Sequence, residues 1–184
     1  MRADRDTSLL LVIDIQSRLA PHVAGHEQLI RHTYALLGAA DLCGIPKLLT
    51  EHCPGQIGPV IEPMRSRFAA GEIFEKTSFG AADHREFVDL VRRTGRTTIV
   101  VTGMEAHVCV MQTALALRDE GFEVIVVADA VGSRGARQQD RDLALRRMEQ
   151  AGCALAGTET VLFEWARGGI DPHFRAILAT VKAL

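Results

Sequence analysis

The sequence predicts an α/β fold: an open, mostly parallel sheet with helices on both faces. Two observations predict it. Three continuous aliphatic runs, at 8–14, 97–102 and 123–128, are rich in β-branched residues. Each stops at a polar residue or a glycine, as strands buried on both faces do. Helix-period patterns separate these runs, and strands alternating with helices imply parallel pairing through crossover connections.

In chain order, the 8–14 run (SLLLVID) is the first strand. A helix follows over 26–42, with apolar residues at Leu29, Ile30, Leu36 and Leu37. Gly44-Ile45-Pro46 introduces a short strand at 47–50, and 73–75 offers another short one. Between them, 53–72 carries Pro54, Gly55, Gly58, Pro59 and Pro63 and reads as a long surface excursion, a feature often functional in compact domains. A helix over 83–93 starts on an acidic residue and stops near Gly95, and the 97–102 strand follows. Then come a helix over 107–120 stopping at Gly121, the 123–128 strand, and a helix over 138–150 stopping at Gly152. An edge strand at 153–156 and a helix over 172–183, capped by Asp171 with Pro172 first, complete the chain.

A chain of 184 residues is expected to form one domain, 1–184. At this size a core needs no disulfide or metal. The balance of 21 basic against 23 acidic residues argues against nucleic acid or an anionic membrane as the main partner. Aromatics at 5% disfavour a base-stacking platform. The four cysteines form no CxxC pair, and the apolar run near the N-terminus stops at Asp14, unlike a signal peptide. The expected location is cytoplasmic, with reduced thiols.

In such sheets ligands bind beyond the carboxyl ends of the strands. Asp14 follows the first strand, Glu51-His52-Cys53 the second, Lys76-Thr77-Ser78-Phe79-Gly80 the short third, and Gly103 to Cys109 the fourth. Cys109, at an expected helix N-terminus, suits a thiolate. Asp14 suits a base for its proton. Lys76, one of only three lysines, suits a compact cation. Together they make an activated nucleophile for acyl transfer. Each alone has a plainer reading: a core thiol, a turn carboxylate, a solvated lysine. Cys153 reads as core and Cys43 as structural. His107 is two residues from Cys109, and such positions do not face each other on a helix. GxGxxG, the P-loop and GxSxG are all absent.

LLLVIDIQ ending near Asp14, EKTSFG around Lys76, and VVTGMEAHVCVMQTALALRDEGFEVIVVADAVGSR around Cys109 resemble the isochorismatase-like cysteine hydrolases, over about residues 8 to 180. The GxEAHVC form is most similar to that of the isochorismatase domain-containing proteins. The resemblance implies a Rossmann-like three-layer α/β/α sandwich with six strands in the order 3-2-1-4-5-6. It implies a triad of Asp14, Lys76 and Cys109, and a cis peptide between Met104 and Glu105. That peptide would turn the Glu105 N–H toward the site to form an oxyanion hole with the Cys109 N–H. It implies a homo-oligomer acting on a small molecule. Gln16, His52 and Phe79 are candidate substrate contacts.

Two departures narrow this expectation. Metal-binding members carry an Asp and several histidines after the second strand. Here Thr50-Glu51-His52-Cys53-Pro54 holds one histidine and no DxH, so neither metal nor other cofactor is expected. Members that cleave a vinyl ether lack the cysteine present here. The expected reaction is hydrolysis of a small amide or related acyl C–N compound. Two alternatives from other classes are a non-catalytic interaction protein with an inert thiol and a flavodoxin-like nucleotide or flavin binder.

Overall fold

The computed structural model describes residues 1–184. Six strands form one sheet in the order β3-β2-β1-β4-β5-β6, with every neighbouring pair parallel. They are β1 Ser8–Ile13, β2 Lys47–His52, β3 Ile73–Lys76, β4 Thr98–Met104, β5 Glu123–Gly132 and β6 Ala154–Ala156. The order reverses between β1 and β4, because β1 pairs with both β2 and β4. That is where a crevice opens in sheets of this kind.

Strand side chains alternate between two apolar layers. Leu10 and Val12 of β1 join Leu36, Leu37 and Trp165 on one face. Leu9, Leu11 and Ile13 join Phe87, Val110, Leu117 and Met148 on the other. Helices α1 (His26–Cys43), α6 (Thr158–Ala166) and α7 (Phe174–Lys182) therefore cover the first face. Helices α3 (Arg85–Arg93), α4 (Met111–Asp119) and α5 (Gln138–Gln150) cover the second. The 53–72 excursion holds a one-turn helix α2 (Pro54–Ile57), two 3-10 turns and a cis Glu62–Pro63 peptide.

Beyond small shifts of strand ends, such as β2 running on to His52 and β4 to Met104, the structure differs from the expected elements in four places. Helix α6 has no counterpart in the sequence reading. Val161, Leu162, Trp165 and Ala166 are all buried in it, so it shows a short apolar block and little polar face. The last helix starts at Phe174, not Pro172, because the carbonyl and carboxylate of Asp171 hold a preceding turn, accepting from the N–H groups of Phe174 and His173. β5 runs on to Gly132 through an irregularity in its pairing with β4, so Asp129 lies within the strand rather than after it. The helix expected from 107 begins instead as a π-turn, Ala106–Val110, before α4.

Candidate active site

The site is built at the carboxyl ends of β1, β3 and β4. Beyond Ile13 the chain turns at Asp14 with φ 50°, a left-handed conformation that aspartate tolerates better than most residues. The Asp14 side chain is buried. Its Oδ1 accepts a hydrogen bond from Thr50 Oγ1 and its Oδ2 accepts one from Lys76 Nζ, both at 2.7 Å. Thr50 lies on β2 and Lys76 is the last residue of β3, so one carboxylate ties three strand ends together. Lys76 Nζ also donates to the Ser78 carbonyl at 3.3 Å. Side-chain exposure in the pair is 0% for Lys76 and 1% for Asp14. Either charge alone at this depth would cost several kcal/mol.

Cys109 arrives from the other side of the sheet reversal. Gly103 has φ 132°, and a Cβ there would stand 2.0 Å from the Ile13 carbonyl oxygen. Only glycine lets the end of β4 lie this close to the end of β1. The Met104–Glu105 peptide is cis. The chain then enters the π-turn, where the Glu105 carbonyl accepts from both the Val108 and Val110 N–H groups at 3.1 Å. This turn brings the buried Cys109 thiol beside Asp14 and Lys76, whose charges both act on it.

The thiol's ionisation runs against the sequence expectation of a stabilised thiolate. Burial pushes the Cys109 thiol up to about 12, and the Asp14 carboxylate adds to the rise. Lys76 pulls the other way and loses. One cation does not offset desolvation when that cation is already paired with a carboxylate. Burial therefore favours the protonated form of the thiol beside the Asp14–Lys76 salt bridge. Cys153, also buried, is pushed up to about 11 by burial and sits in the core, in line with its reading from sequence.

A cavity of about 180 Å³ opens over the thiol. Asp14 and Cys109 form its floor, with His52, Phe79 and Glu105 among its walls. The His52 and Phe79 rings pack 5.2 Å apart, and His52 Nδ1 lies 3.1 Å from the Ser78 carbonyl oxygen. Gln16 is different. Its Nε2 donates to the carbonyls of His52 (2.9 Å) and Gly58 (2.5 Å), while its Oε1 accepts from the His52 N–H at 2.8 Å. Gln16 is fully buried, does not line the cavity, and staples the loop after β1 to the end of β2 and to the excursion. Gln16, expected as a substrate contact, is thus placed outside the cavity lining. Glu51, also buried, accepts from the Val60 N–H and from Arg65, anchoring the same excursion.

Four lining residues are not singled out by the sequence: Leu19 and Ile57, in a loop and an excursion expected to shape the pocket, Val108, and Arg134, which reads from sequence as part of a solvated helix face. Leu19 and Ile57 lie in the loop after β1 and in the excursion, where no periodicity marks which side chain turns inward. Arg134 had a usable signal, since it follows a strand's carboxyl end. It was hidden because β5 is longer than its aliphatic run. A wider cleft of about 460 Å³, lined by Arg2, Asp4 and Arg167 among others, holds no cysteine or lysine. No group of three or more His, Cys, Asp or Glu is placed to hold a metal ion, and no helix is long and apolar enough to cross a membrane.

A parallel sheet in this order, with a buried carboxylate, lysine and thiol at its reversal, is a doubly wound α/β scaffold carrying a candidate nucleophile site. The isochorismatase domain family matches residues 8–160, and the chain belongs to that family. Its members are generally hydrolases. Isochorismatase domain-containing protein 2A of Mus musculus is 31% identical, over 96% of this chain and 84% of its own. A Caenorhabditis elegans structure described as MAR1 ribonuclease is 31% identical with a TM-score of 0.90, covering 99% of this chain and 93% of that one. The Escherichia coli YcaC product, described as an octameric hydrolase of unknown specificity, is 27% identical with a TM-score of 0.87, covering 100% of this chain and 88% of that one.

Proposed function

We propose that the protein is a cysteine-dependent hydrolase of a small amide or related acyl C–N compound. One observation carries this reading: Asp14 and the Cys109 thiol line a single small cavity at the sheet reversal, with Lys76 paired to Asp14 behind it. Asp14 is the base, Cys109 the nucleophile, and Lys76 the cation that balances charge as the proton moves. Because the resting thiol is neutral, proton transfer and attack belong to one event. The S–H proton goes to Asp14 as sulfur bonds to the substrate carbonyl carbon. The carbonyl oxygen becomes an oxyanion, held by the N–H groups of Glu105 and Cys109. A single such donor is worth on the order of 3 kcal/mol of barrier. The C–N bond then breaks and the amine leaves with the proton Asp14 had taken. Water attacks the resulting thioester, its proton passing through Asp14 to the departing sulfur, which restores the thiol and releases the acid.

The cavity is smaller than those that hold drug-sized ligands, which supports a small substrate. Assembly into a homo-oligomer is part of the same reading, supported by the octameric Escherichia coli neighbour. The high thiol pKa favours a second reading, a non-catalytic interaction protein with an inert thiol. One experiment separates the two: ammonia release from a panel of small primary amides by wild type, Cys109→Ala and Lys76→Arg. Turnover by wild type alone is the expected result, because a planar guanidinium does not replace a compact ammonium in a buried pair. Full activity in Cys109→Ala would end the proposal. A ribooligonucleotide belongs in the panel because the nematode neighbour is described as a ribonuclease.

A further inference from the structure

His52 is the last residue of β2 and part of the wall of the Cys109 cavity. Three sets of contacts fix it. The Gln16 side chain brackets its backbone, accepting from its N–H at 2.8 Å and donating to its carbonyl at 2.9 Å. Its ring packs against Phe79, with centroids 5.2 Å apart. Its Nδ1 lies 3.1 Å from the Ser78 carbonyl oxygen. A carbonyl oxygen only accepts, so Nδ1 carries a proton there. In the neutral ring, Nε2 then holds the lone pair. The same carbonyl accepts from Lys76 Nζ at 3.3 Å, so one oxygen orients both the imidazole and the ammonium.

Nε2 itself has no partner within the chain and is not sealed from solvent. The two carboxylates in the lining are each held by a cation, Asp14 by Lys76 and Glu105 by Arg134. The uncommitted lone pair on a fixed ring is therefore that of His52, beside a space of about 180 Å³ that the thiol shares. At a liquid share of about 30 Å³ per water, this is room for about six waters, so a molecule seated on Cys109 lies close to every wall.

We infer that His52 is a specificity-determining residue whose Nε2 accepts a hydrogen bond from the N–H of the scissile amide. The inference rests on the proposed function, since it concerns the bond that Cys109 breaks. His52 stays neutral, and no proton moves to it. Once the tetrahedral intermediate forms, the C–N bond is single, and an accepted N–H restrains rotation about it. That keeps the nitrogen lone pair available to the proton on Asp14. The substrate class narrows to primary and secondary amides. An ester or a tertiary amide has no N–H and leaves Nε2 desolvated without a donor. A site built to receive a substrate N–H discriminates strongly against an analogue that lacks it.

Two measurements test this. The first needs no substrate: nitrogen NMR of protein labelled with 15N-histidine, with the His52 signals assigned by their loss in His52→Phe. The expected tautomer has its proton on Nδ1 and a bare Nε2. A proton on Nε2 instead overturns the inference and leaves the cysteine mechanism standing. The second compares kcat/KM for the N-methyl amide and the methyl ester of the acid whose amide is hydrolysed fastest. These two are equal in shape and differ by one N–H. The amide-to-ester ratio should fall at least tenfold in His52→Phe, which keeps an aromatic ring against Phe79 and removes the acceptor. His52→Gln should fall between, because its carboxamide oxygen can accept. A ratio unchanged from wild type in both variants overturns the inference, since His52 then serves both substrates alike. No turnover of any amide by wild type overturns the proposed function, and the inference with it.

Discussion

Ionisation of Cys109 gives the sharpest physical test of the site. The thiol sits at about 12 in the folded chain because burial and Asp14 oppose its charge. An unfolded cysteine titrates near 8.5. The folded state therefore keeps a proton that the unfolded state releases. For a group raised on folding, the stabilising contribution is complete below the unfolded pKa and is lost as pH rises through the folded one. The window here runs from about 8.5 to about 12. At pH 10 the unfolded thiol has been released by about 1.5 pH units while the folded one has not, a loss of about 2 kcal/mol. Cys109→Ala removes this titration and leaves that of Cys153 in place. The stability gap between wild type and variant, from urea unfolding, should then shift by about 2 kcal/mol against wild type between pH 7 and pH 10. Iodoacetamide labelling of Cys109 should also lag far behind that of a free thiol at pH 8.5, by a thousandfold or so from thiolate population alone. Parallel stability curves, together with rapid labelling at pH 8.5, would refute the neutral-thiol ground state. They would restore the stabilised thiolate that the sequence suggests.

Three further outcomes follow from the geometry. Asp14→Asn leaves the buried Lys76 ammonium without its carboxylate, so it should destabilise by about 3–5 kcal/mol in chemical denaturation. The same change should lower the Cys109 pKa, since Asp14 raises it, while abolishing turnover. Gln16→Leu removes three hydrogen bonds between the loop after β1, β2 and the excursion. At about 1 kcal/mol each, that is a loss of about 3 kcal/mol, with amide exchange rising first around 52–60. Gly103→Ala drives a Cβ into the Ile13 carbonyl, and the soluble yield and thermal midpoint should both fall sharply even though one methyl is added.

Much of this was legible in the sequence, for identifiable reasons. The buried strands announce themselves because parallel strands covered on both faces must be continuously apolar, as in Leu9 to Ile13. Asp14, Lys76 and Cys109 stand out because each polar residue directly follows such a run or falls in a short motif at a strand end. Helix α6 was not legible, since Trp165 and its neighbours are buried and leave too little polar face to show a helical period. The state of the thiol was not legible either. A helix start and a nearby lysine are visible in sequence, but the depth of burial that outweighs them is a property of the folded packing. The cavity rim depends on which side chain of an irregular loop turns inward, so Leu19 and Ile57 became visible only in three dimensions.

The most direct test of the central claim is to trap the covalent intermediate. Wild-type protein turning over an active amide is quenched in acid within milliseconds to seconds, digested, and the Cys109 peptide weighed. The account predicts the acyl mass of the substrate on Cys109 as a thioester labile to hydroxylamine, absent from Asp14→Asn. Turnover with an unmodified Cys109 peptide at every quench time, or the acyl group on another residue, would contradict it.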